Sequence, residues 1–202
     1  MVIGLVRPWN PLLEAFLISA GLVGLAEIGD KTQLLAFMLA ARFRRPWPIA
    51  AGILAATLVN HALAAALGAW LMSSVGPQAM RWALGLSFIA MALWTLVPDR
   101  LDDDDAPSVS QLGVFATTTL AFFAAEMGDK TQIATVALAA RYPDLLAVVA
   151  GTTIGMMLAN VPAVYFGDAI AKRGSMALVH GIAAAIFVVL GVLTLFNVGA
   201  LF

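Results

Sequence analysis

One heptapeptide is written twice in this chain, as Glu27-Ile28-Gly29-Asp30-Lys31-Thr32-Gln33 and as Glu126-Met127-Gly128-Asp129-Lys130-Thr131-Gln132, and both copies interrupt stretches of nearly pure hydrocarbon. An ionisable side chain inside a bilayer costs several kcal/mol, roughly 3 on insertion scales, so a doubled cluster of them marks a functional site by default. In a helix, Glu27 and Asp30 share a face, and Lys31, four residues from Glu27, can reach the same carboxylate. Thr32 and Gln33, like Thr131 and Gln132, add hydroxyl and amide oxygens. Four carboxylates (Glu27, Asp30, Glu126, Asp129) against two ammonium groups (Lys31, Lys130) leave a formal charge of −2 if the copies meet. One divalent cation would neutralise it.

Oxygen ligands with no cysteine anywhere in the chain suit hard cations, Ca²⁺ and Mn²⁺, better than Zn²⁺ or Cu⁺, and a compact protein cage disfavours the tightly hydrated Mg²⁺. Without metal the same carboxylates repel one another in a low dielectric, and protons can take the metal's place. Competition of metal and proton for one site is the thermodynamic core of an antiporter. An intrahelical Glu27–Lys31 pair serving only insertion or packing is the plainer alternative, but it leaves the duplicated Asp, Thr and Gln without a purpose.

The elements that must position these groups follow from composition. Of 202 residues, 62% are hydrophobic and 11% charged, with mean hydropathy +0.95; soluble domains carry about 25% charge. The chain is therefore expected to be an all-α integral membrane protein, because backbone groups cannot stay unpaired in lipid. Six transmembrane helices are predicted near Leu12–Ala41, Ile49–Met72, Met80–Val97, Leu112–Ala140, Leu145–Ile170 and Met176–Phe196. The first, if continuous, would be about 45 Å long at 1.5 Å per residue, more than a perpendicular crossing needs. A tilt or a break near Gly29 is expected.

The halves align at a constant offset, with 11 of 18 positions identical between Ala26–Phe43 and Ala125–Tyr142, and Gly52 opposite Gly151. We read residues 1–98 as a first three-helix repeat, 99–111 as an acidic linker holding Asp102 to Asp105, and 112–202 as a second repeat. Three spans per half force the second half to enter the membrane upside down. Such inverted-topology repeats are a transporter architecture, with the site near the midplane. Arg42, Arg44, Arg45, Arg100, Lys172 and Arg173 fall on one side against Arg7, Arg81 and Arg141 on the other, which puts both termini outside.

Asn60 and His61 lie midway along the second span and Asn160 midway along the fifth, with His61 opposite Asn160 at the repeat offset. Such groups either glue helices together or serve as ligands and proton relays, and the sequence leaves both open. His180, at the repeat position of Arg81, reads as interfacial.

Two copies of E-x-G-D-[KR]-[TS] in a duplicated six-helix chain resemble the signature of the Golgi-type manganese/calcium transporter family. The resemblance covers essentially the whole chain, and Glu27, Gly29, Asp30, Lys31, Thr32 and Glu126, Gly128, Asp129, Lys130, Thr131 match the pattern without departure. It implies exchange of Mn²⁺ or Ca²⁺ for protons, chiefly manganese export in bacteria. With no organelle-targeting extension visible, a multi-pass protein of the bacterial cytoplasmic (inner) membrane is expected.

The expected partners are divalent metal ions, protons and the lipid bilayer. No prosthetic group and no nucleic acid are expected, and nothing in the sequence signals an oligomeric state. A passive cation channel could use the same carboxylates, and an amino-acid exporter could use the Lys and carboxylate pairs for a zwitterion. An intramembrane aspartyl protease fits poorly, because Glu stands where the G-x-G-D pattern has its first glycine and a lysine follows each Asp. An enzyme is therefore not expected.

Overall fold

The computed structural model describes residues 10–97, 113–171 and 176–197, which form eight helices and no strand. They are α1 (Pro11–Glu27), α2 (Lys31–Phe43), α3 (Pro46–Val75), α4 (Pro77–Thr95), α5 (Gly113–Glu126), α6 (Lys130–Arg141), α7 (Leu145–Ala171) and α8 (Met176–Leu195). The expected linker at 99–111, Arg7, Arg100, Lys172 and Arg173 lie outside the described residues.

Local chemistry sets these boundaries. Proline stands at the first turn of α1, α3 and α4, where its missing N–H costs nothing. The Asn10 side chain accepts from the N–H of Leu12 at 3.1 Å to start α1, and Asp144 accepts from Ala147 at 2.8 Å to start α7. The first and fourth expected spans are each two helices rather than one, divided at Ile28–Asp30 and Met127–Asp129. The glycines cause the division: Gly29 has φ +82° and Gly128 φ +79°, values that side chains disfavour. At the first break the chain bends by 69°.

Among the described residues three helical stretches, Pro46–Val75, Leu145–Phe166 and Leu178–Leu195, are long and apolar enough to cross a membrane, and α1 with α2 forms a fourth if the bent pair is one span. Large apolar side chains face outward on them, including Leu63, Leu158, Phe166 and Leu178, while Thr57, Asn60, His61, Thr152 and Asn160 are buried. That inside-out distribution is what a lipid surround selects.

The helices interlace. α3 packs on α5 and α6, α7 packs on α1 and α2, and α4 pairs with α8. Small residues permit the close approaches. A methyl group added at Gly52 would lie 2.9 Å from the Phe115 carbonyl oxygen and 2.8 Å from Thr118 Cβ; at Gly151 it would lie 2.4 Å from the Phe16 carbonyl oxygen and 2.9 Å from Ser19 Cβ. These two contacts repeat at the offset that separates the motifs, so α3 lies on α5 in the register in which α7 lies on α1. Gly155 is tighter still, with an added Cβ 2.4 Å from Ala20 O and 2.8 Å from Gly24 N, both backbone. Gly155→Val is expected to destabilise the fold by about 1–3 kcal/mol through overpacking. Gly181→Ala, which has open space around it, should leave the melting temperature in detergent unchanged or slightly raised.

Candidate functional site

Each motif is a broken helix whose own residues tie the break together. After α1 ends at Glu27, the Asp30 N–H bonds back to the Glu27 carbonyl at 3.0 Å, and Asp30 Oδ1 caps α2 by accepting from the Lys31 N–H at 2.8 Å. The Gln33 side chain reaches back so that its Oε1 accepts from the Gly29 N–H at 2.8 Å, a relative of the capping box. Its Nε2 donates to the Ala159 carbonyl of α7 at 3.0 Å. The second motif repeats the plan: Asp129 N–H to Glu126 carbonyl at 3.1 Å, Gly128 N–H to Gln132 Oε1 at 2.8 Å, and Gln132 Nε2 to Asn60 Oδ1 of α3 at 2.7 Å. Asn60 and Ala159 are themselves repeat-equivalent positions. The glutamines, expected as oxygen donors, are thus occupied in holding the turns and docking them on the long helices.

The two motifs are joined by their charges. Lys31 Nζ pairs with Asp129 Oδ1 at 3.1 Å, and Lys130 Nζ pairs with Asp30 Oδ1 at 2.8 Å. The expected pairing of Lys31 with Glu27 along one helix does not occur. The turn at Gly29 ends the helical spacing that would have stacked them, and it sends the lysine to the other motif. The two bridges differ in setting: Lys130 and Asp30 are fully buried, whereas the Lys31 side chain is 30% exposed.

Both glutamates are fully buried. Glu27 Oε1 accepts from Thr32 Oγ1 and, at 2.9 Å, from Asn160 Nδ2 of α7. Glu126 Oε2 accepts from Thr131 Oγ1 at 2.7 Å. Glu27 Oε2 and Glu126 Oε1 have no hydrogen-bond partner among the described residues. A buried carboxylate oxygen left bare is costly and asks for a cation or a proton. With each aspartate paired to a lysine of the opposite motif, the uncompensated charge rests on the two glutamates. As they stand, no three His, Asp or Glu side chains among the described residues are grouped closely enough to cage a metal ion.

Of the supporting positions, Asn160 reaches Glu27, and Asn60 bonds Gln132 and, through Nδ2, the Phe123 carbonyl at 3.2 Å. His61 is fully buried with both ring nitrogens lacking partners among the described residues. One contact was missed from the sequence. His180 of α8 donates from Nε2 to the carbonyl of Ile28, inside the first break, at 3.0 Å. Its repeat position holds Arg81, so the duplication gave no hint of it.

The sequence profile described as "Divalent cation/proton antiporter GDT1" matches residues 15–103 and, again, residues 114–200. This chain belongs to the GDT1 family. Among relatives, a Vibrio cholerae protein named "Putative manganese exporter" is 47% identical over 190 residues, covering 94% of each chain. A GDT1-like protein of Synechocystis is 30% identical over 202 residues, covering 91% of this chain and 97% of its own, and GDT1-like protein 5 of Arabidopsis thaliana is 28% identical over 91% of this chain and 96% of its own. No solved structure matches. The GDT1 profile begins in each half at equivalent residues, Ala15 and Val114. The expectation of a divalent cation/proton antiporter is met by the family, and the chain is a multi-pass membrane transporter.

Proposed function

We propose that this GDT1 protein exports Mn²⁺ from the cytoplasm of a bacterium across the inner membrane in exchange for protons, using Glu27, Asp30, Glu126 and Asp129 as the carboxylates that meet the ion. The observation that carries the proposal is the pair of buried glutamates, each with one bare oxygen, beside two aspartates already neutralised by lysines of the opposite motif. That core has a residual formal charge of −2. In a low dielectric it is tolerable only with one divalent cation or two protons aboard.

Lys31 and Lys130 hold the aspartates when metal is absent and release them to it. Thr32, Thr131 and Asn160 orient the glutamates, Gln33 and Gln132 brace the two breaks, and Asn60 docks the second of them. The name of the Vibrio cholerae relative supports manganese as the cargo.

The same proposal takes the chain as six spans in two inverted three-helix repeats, 1–98 and 112–202, joined by the linker 99–111, with both termini outside. Support comes from the match of the family profile to each half and from the interlaced contacts, in which α3 lies on α5 as α7 lies on α1. The site then falls where the two breaks meet, at the repeat interface typical of such transporters.

The test is transport in proteoliposomes with membrane voltage clamped and internal pH recorded. The expected result is Mn²⁺ uptake coupled to release of two protons per ion, driven by the pH gradient and insensitive to voltage. Metal flux driven by voltage alone, without proton movement, would replace the antiporter with a channel.

A further inference from the structure

The two halves of the site are not chemically equal. On one side Asn160 donates its amide to Glu27 at 2.9 Å. The position that corresponds to Asn160 in the first half is His61, and the group that corresponds to Glu27 is Glu126. The register that would carry His61 to Glu126 is set by two independent contacts on the preceding turns of α3, one of them at the adjacent residue. Gly52 meets Phe115 and Thr118 as Gly151 meets Phe16 and Ser19, and Asn60 meets Gln132 as Ala159 meets Gln33. At the place thus defined, an imidazole is fully buried with both nitrogens unpartnered among the described residues, and Glu126 Oε1 is equally bare.

A buried histidine with neither nitrogen used is expensive, and a merely structural one would have found a carbonyl, as His180 does with Ile28. Thr117, Thr118 and Thr57, buried on the two helices packed here, also have hydroxyls without partners among the described residues, so the α3–α5 face carries spare polar capacity.

We propose that His61 is a specificity-determining ligand: a nitrogen donor that joins Glu126 on the transported ion and selects first-row transition ions over Ca²⁺. This rests on the carboxylate site proposed above. The reasoning is ligand chemistry. Ca²⁺ is held by oxygen, whereas imidazole is a good donor to divalent transition metals. An all-oxygen site made of carboxylates, threonines and Asn160 would have little reason to prefer Mn²⁺ over Ca²⁺. One imidazole on one side supplies the preference, and the asparagine on the other leaves that side indifferent. The asymmetry also gives the two ends of the transport cycle different affinities, since the Glu126 half binds a transition ion more tightly than the Glu27 half.

The experiment uses the purified full chain in detergent loaded with Mn²⁺, with pulsed electron paramagnetic resonance to detect nitrogen coupled to the metal spin. Competition with Ca²⁺ is measured in parallel by metal-dependent thermal stabilisation. Wild type should show an imidazole nitrogen coupled to Mn²⁺. His61→Asn, which gives both halves the same residue, should abolish that coupling and reduce the preference for Mn²⁺ over Ca²⁺ on the order of tenfold, in the range seen when a group supporting a metal site is removed. His61→Gln, with a melting curve like that of wild type, serves as the second variant should the first fold poorly.

Bound Mn²⁺ without nitrogen coupling, in a protein whose Mn²⁺ binding is abolished by Glu126→Gln, would overturn the role of His61 and leave the carboxylate site standing. Binding of Mn²⁺ that is indifferent to both Glu126→Gln and Glu27→Gln would overturn the carboxylate site and the histidine together.

Discussion

Glu27→Gln and Glu126→Gln are each expected to lower Mn²⁺ transport by at least about 100-fold, beyond the range for residues that only support a metal site, while the protein still reaches the membrane and folds. Glutamine keeps the length and planarity of glutamate, and its carbonyl oxygen can still accept from Thr32 or Thr131, so the hydrogen bonds that fix the side chain survive. What disappears is one of the two uncompensated negative charges. A site of formal charge −1 can be neutralised by one proton but is left positive by a divalent ion, so metal loses its advantage over protons. Uptake assays paired with size-exclusion profiles in detergent provide the check. Two variants that both transport at the wild-type rate would reduce the motif to a structural device.

Removing the lysines should separate the two bridges by stability. Lys130→Met is expected to cost about 3–5 kcal/mol, because it removes the buried counter-charge that faces the Asp30 carboxylate. Lys31→Met should cost about 1 kcal/mol or less, since the Lys31 side chain is 30% exposed and solvent can take over part of its work. Methionine is chosen to keep the apolar stem and volume, so the difference reports charge rather than packing. Chemical denaturation in mixed micelles measures both. Equal losses would mean that the Lys31–Asp129 bridge is as dry in the membrane as its counterpart.

Much of this was legible before any coordinates. The length of the first span, about 30 residues, left a tilt or a break to choose between, and Gly29 marked where a break would fall because glycine bends most freely. The offset between the halves placed Asn160 and His61 in register. It did not say which way Lys31 would turn: helical spacing favours Glu27, and only the geometry of the turn, fixed by Asp30 as a cap and Gln33 as a brace, directs the amine to Asp129. Hydrophobic runs likewise count apolar stretches and not helices, so α1 and α2 were read as one. His180 was beyond reach for a different reason. Its acceptor is a backbone carbonyl released by the break, and backbone acceptors have no signature in side-chain type.

The exchange of lysines between motifs bears on where such a chain could have come from. In this geometry either half on its own would carry an aspartate and a lysine whose bridges run to the other copy, and α3 or α7 would have no broken helix to lie against. Under the inverted topology proposed above, a half-length ancestor would have worked as a pair of identical chains inserted in opposite senses, trading salt bridges across their seam. Fusion of two such genes would free each copy to drift separately, and only then can the site be lopsided, with histidine at 61 and asparagine at 160, something two identical chains could never achieve.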